Sequence, residues 1–109
     1  MKNLIRKILR EYEDSESIYN FLRRRVVITD ISKYGLTIIK YTFEGFPGFG
    51  FNSFSSRKEV EKKIINFLYD IDIIDDGLYD SYYSQKNNLN PELQSVVRSI
   101  RKFLNFINY

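Results

Sequence analysis

Met1, Leu4, Ile5, Ile8, Leu9 and Tyr12 fall within one arc of a helical wheel, and Lys2, Arg6, Lys7 and Arg10 fall outside it. That spacing predicts an amphipathic helix over 1–13. A second helix is expected over about 16–24, with Asp14 or Ser15 as its cap and Ile18, Tyr19 and Leu22 on its apolar side. The period then changes. Residues 26–31 are mostly β-branched and predict a strand, and Ser32-Lys33-Tyr34-Gly35 is a turn. In residues 36–44, Ile39, Tyr41 and Phe43 alternate with Ile38, Lys40 and Thr42, which predicts a second strand. After the turn Gly45-Phe46-Pro47-Gly48, residues 49–54 make a third, completing an antiparallel meander.

Ser56-Arg57-Lys58-Glu59 reads as a capping box opening a helix to about residue 69, with Val60, Ile64, Leu68 and Ile71 on its buried stripe. Residues 70–90 lack a clean period and are expected to form an acidic loop, with room for a short strand over 78–83. Asn90-Pro91 supplies a cap and a first-turn proline. The last helix should reach about residue 108 and bury Leu93, Val96, Val97, Ile100, Phe103, Leu104 and Ile107. The expected class is α+β: N-terminal helical segments, a three-stranded antiparallel meander and two C-terminal helices. Residues 14–109 form one domain, and 1–13 are either its first helix or a leader.

Composition narrows the chemistry. A chain of 109 residues suits one modest core. Cysteine is absent, so no disulfide scaffold, thiolate nucleophile or thiolate zinc site can exist. Histidine is absent too, which removes the commonest general base and the imidazole metal ligand. No carboxylate pair is spaced with a nucleophile or base, so the expectation is a non-enzyme without a cofactor. No run is long and apolar enough to span a bilayer. Aromatics are 17% of the chain, nine Phe and nine Tyr, and most should pack the core because no alanine or tryptophan is present. The abundance of Ile, Lys, Asn, Phe and Tyr implies A/T-rich coding DNA, a bias common among bacteria and their phages.

The formal charge of +3 is distributed in blocks. Residues 1–10 carry four cations, residues 11–16 four anions, and residues 70–80 five aspartates. Read from Asp72, the aspartates align partly with a calcium loop, but Ile74 and Tyr83 stand where oxygen ligands are needed, so no metal is expected. Gly45 to Gly50 lacks the Lys-Ser/Thr of a phosphate cradle and reads as a hairpin turn. The candidate nucleic-acid contacts are Arg23, Arg24, Arg25, Arg57, Lys58, Lys62, Lys63, Arg98, Arg101 and Lys102.

Two resemblances add expectations. The order helix, three strands, helix, with Gly48-Phe49-Gly50 ahead of Arg57-Lys58-Glu59-Val60-Glu61, resembles the double-stranded-RNA-binding domain. That resemblance implies a basic helix N-terminus set against phosphates across a groove. Glu61 replaces that family's third basic position, and Val60, Ile64 and Ile65 replace its small alanines. The opening MKNLIRKILRE is similar to the leaders of small tailed-phage proteins, which direct them into the assembling capsid. In the T-even type a maturation protease cuts after Glu in a Leu/Ile-x-Glu site, and Leu9-Arg10-Glu11 fits that pattern. The same stretch also suits a core helix or a membrane-surface helix, although the four acids that follow would repel anionic headgroups. Together these features point to a small non-enzymatic binding or accessory protein, phage-encoded, either internal to the virion or a host-directed inhibitor. A protein partner is expected first and nucleic acid as the alternative, in the host cytoplasm or the virion interior.

Overall fold

The computed structural model describes residues 15–84 and 90–109, with side chains from Ser17 onward. The 1–13 segment and the candidate processing residues Leu9 and Glu11 lie outside the described residues. The elements run α1 (Ser15–Arg23), β1 (Val26–Asp30), β2 (Ile39–Phe43), β3 (Gly50–Asn52), α2 (Arg57–Asp70), α3 (Asp76–Ser84) and α4 (Pro91–Phe106). This is an α+β fold with a three-stranded antiparallel sheet in the order β1-β2-β3. Among the described residues no helix is long and apolar enough to cross a membrane.

Local chemistry sets the element ends. Lys33 and Leu36 exchange both backbone hydrogen bonds, at 3.1 and 2.9 Å. Tyr34 and Gly35 between them take φ of 52° and 81°, the two left-handed residues that a tight hairpin turn requires. At β3 the chain passes so close to β2 that a Cβ on Gly50 would lie 2.7 Å from the Tyr41 carbonyl oxygen. Ser56 Oγ accepts from Glu59 N and opens α2, and Asn90 Oδ1 accepts from Glu92 N and Leu93 N to open α4.

Within the region 70–90 expected as an acidic loop with a short strand, Asp76–Ser84 is a helix, so three helices follow the sheet, not two. Asp75 Oδ1 accepts from Leu78 N at 2.9 Å, which caps α3, and Asp76 sits in its first turn. Leu78 and Tyr82, one turn apart, then face the body of the molecule, Leu78 buried and Tyr82 half-buried. The strands are also shorter than their patterns suggested. Beyond Asp30, Ser32 Oγ takes the Ile38 amide, so side-chain bonding replaces part of the ladder between β1 and β2.

Tyr41 and Phe43 of β2 and Phe51 of β3 share one sheet face and are buried beneath the helices. Phe67 of α2 stacks on Phe49 at 4.1 Å and meets Phe46 edge-on at 5.0 Å. Phe103 of α4 lies 5.9 Å from Phe43. Ile64, Leu68, Ile100 and Leu104 are fully buried between α2 and α4, and Ile18 and Leu22 seat α1 on the same core. Tyr109 packs edge-on against Tyr41 and Phe51 and donates its hydroxyl to the carbonyls of Asn52 and Ser55. This packing sets the outer face of α4 between α1 on one side and α2 with α3 on the other.

Candidate functional site

Glu61 sits inside the apolar arc of α2, between Ile64, Leu68 and Ile65 on the helical wheel, and is 3% exposed. A buried carboxylate must be paired. Three groups from three helices meet it. Arg101 Nε of α4 donates to Oε1 at 2.8 Å, while Oε2 receives Tyr82 Oη of α3 at 2.7 Å and Lys58 Nζ of α2 at 3.0 Å. Burial pushes the Glu61 carboxyl up, but the hydrogen bonds from Arg101, Tyr82 and Lys58 outweigh it, and the net effect is downward. The Tyr82 phenol is pushed up by burial and by its bond to Glu61. Glu61 is therefore held ionised and occupied, and Tyr82 protonated. Neither is poised for proton transfer near neutral pH.

What the network does is fix cations. The Lys58 and Arg101 side chains remain more than half exposed while their inner contacts hold them in place. Lys58 Nζ also lies 5.3 Å from the centre of the Tyr82 ring. Together with Arg98 they rim a cavity of about 550 Å3 floored by Leu93 and Val97. Arg98 has neither a hydrogen bond nor an ion pair among the described residues. Arg57, at the start of α2, donates to the Arg101 carbonyl at 3.2 Å and to Asn105 Oδ1 at 2.8 Å.

The cationic band continues across α4. Lys102 Nζ sits 4.6 Å from the centre of the Tyr19 ring, and the Arg23 guanidinium sits 5.6 Å from the same ring. Tyr19 meets Phe106 edge-on at 6.0 Å. Arg23, Lys102, Arg101, Arg57, Lys58 and Arg98 thus form a chain of neighbours from α1 across α4 to α2. The other four candidates stand apart. Arg25 folds back over Phe21 at 4.1 Å and donates to its carbonyl, and Arg24 is an exposed residue of the following turn. Lys62 is exposed on α2, and Lys63 lines a second cavity of about 570 Å3 with Asp70 and the Gly45 to Gly50 turn.

Reading the chain alone missed Glu61 and Tyr82. The available signal was a carboxylate within an apolar helical arc, with a lysine three residues before it. Among the described residues no three acidic side chains converge to hold a metal ion. No match to this chain was found among protein-family models, curated proteins or solved structures.

Proposed function

We propose that this chain is a small non-enzymatic binding protein that takes the phosphate backbone of a nucleic acid on the band running from Arg23 to Arg98. The observation that carries this reading is the buried Glu61. It anchors Lys58 and Arg101 beside Arg98, which has no hydrogen bond or ion pair among the described residues, and its single negative charge offsets only one of the three cations of the rim. Prepositioned guanidinium groups lose little conformational freedom when they meet phosphate oxygens. The A/T-rich codon bias supports a phage origin.

The test is fluorescence anisotropy with labelled duplex RNA and DNA over a salt series. Engagement of four to five phosphates predicts a slope of roughly −4 in log K against log salt concentration. Arg98→Glu should weaken binding and make the slope shallower while leaving the melting temperature unchanged. Absence of binding at low salt, or a flat salt dependence, overturns the reading.

A second reading, a protein-docking role such as a host-directed inhibitor, is favoured by the hairpin tip. Tyr34 is 99% exposed and Leu36 59%. Capture of one partner from infected cells, abolished by Tyr34→Ser with Leu36→Ser, would favour it over the first.

A further inference from the structure

Among the described residues the outer edge of β1 is open. Glu44 N donates to Arg25 O, and Ile31 N donates to Ile38 O. In an antiparallel ladder this parity turns the peptide groups of residues 25, 27, 29 and 31 toward β2. The N–H and C=O of Val26, Ile28 and Asp30 therefore face away from the sheet, and β1 pairs only with β2 among the described residues. Edge strands are usually protected by lysine, proline, a bulge or a covering element. β1 reads Val-Val-Ile-Thr-Asp, its register with β2 is unbroken, and Val27 and Ile28 are 46% and 51% exposed. Ile28 shares the helix-side face with its partner Tyr41, which is buried, so the apolar layer of the sheet continues to this edge with no cover among the described residues.

We propose that the occupant of this edge is a second copy of the chain, paired antiparallel about a two-fold axis at Ile28 to make a continuous six-stranded sheet. The strand is complementary to itself in three ways. First, pairing about Ile28 sets Val26 opposite Asp30 of the other copy and Ile28 opposite its own counterpart. All the outward peptide groups then meet in register, without a slip or bulge. Second, Ile28 packs on Ile28 on the helix side, and Val27 packs on Thr29 on the other face, which are favourable cross-strand pairs. Third, Arg24 and Arg25 precede the strand and Asp30 ends it, so antiparallel pairing brings the cationic end of each copy to the acidic end of the other. A foreign strand need not share this symmetry of charge and apolar pattern, whereas an isologous interface requires it.

Light scattering and sedimentation of the full chain over a concentration series test this inference. The expected result is a concentration-dependent shift to twice the 13.1-kDa chain mass. Amide exchange should show Val26, Ile28 and Asp30 protected in the dimer. Ile28→Lys should give a monomer at every concentration. Because that change can also disturb the fold, a charge exchange provides the second arm. Asp30→Arg should weaken association at least about tenfold, the equivalent of about 1.4 kcal/mol. Adding Arg24→Asp to that variant should restore part of the loss, which misfolding cannot imitate. A full chain that stays monomeric at high concentration overturns the proposal. If Val26, Ile28 and Asp30 are protected in that monomer, another part of the chain covers the edge. An Ile28→Lys variant that still dimerises places the interface elsewhere.

Discussion

Replacing Glu61 with Gln tests whether the three-helix network holds this part of the fold together. Glu61→Gln keeps the shape and keeps an acceptor for the Tyr82 hydroxyl. It removes the negative charge and turns an amide N–H toward Arg101 Nε or Lys58 Nζ, a donor facing a donor. Hydrogen bonds to a charged group contribute about 1.5–3 kcal/mol each when dry. Both cations are more than half exposed, so water replaces much of what they lose, and each contact is discounted to about 0.5–1 kcal/mol. Adding about 1 kcal/mol for the badly paired buried amide gives a loss of roughly 2–3 kcal/mol. For a domain of this size that lowers the melting midpoint by about 8–20 °C. The loss should also depend on pH. The folded-state pKa of Glu61 lies below its ordinary value of 4.5, so its contribution is complete above that value and is lost as pH falls through the folded pKa. Circular-dichroism melts of both proteins should therefore show a constant gap from neutral pH down to about pH 5, narrowing in more acid solution. An equal gap near pH 3 and near pH 7 would refute ion pairing as the cause. A Glu61→Gln protein as stable as the parent near neutral pH would show that the network contributes no net stability.

Phe67→Ala should cost about 3–5 kcal/mol in urea unfolding, because it removes the ring that stacks on Phe49 and meets Phe46 at the base of the β2–β3 turn. A loss below about 1 kcal/mol would mean that this aromatic cluster repacks. Deleting residues 1–11 separates the readings of the N-terminus. If Leu4, Ile5, Ile8 and Leu9 belong to the core, each contributes about 1.5–3 kcal/mol, and the truncated chain should be unfolded at room temperature, the outcome expected here. An unchanged melting midpoint would instead identify residues 1–11 as a dispensable leader.

Local pattern was enough for much of this fold. The alternation in β2, the turn at Tyr34-Gly35, and the caps at Ser56 and Asn90 each depend on residues a few positions apart, so α1, the meander, α2 and α4 are legible in the chain as written. The aspartates of 70–80 were misleading. Their charge suggested a loop, but Asp75 caps a helix that is completed by Leu78 and Tyr82 seated against the body of the protein. Helix propensity over so short a stretch is weak, and tertiary burial decides its state. The candidate site was only half visible. Ten candidates could be picked from the seventeen cations in the sequence, but which of them share a face depended on how α1, α4 and α2 cross. Glu61 meets Arg101 40 residues away and Tyr82 21 residues away. The edge of β1, open among the described residues, had the same origin. Val27 and Ile28 belong to a strand in any reading of the chain, but sheet order alone decides whether a strand lies in the middle or at the rim. Short-range chemistry chose the elements, and long-range packing chose which charges meet and which peptide groups stay open.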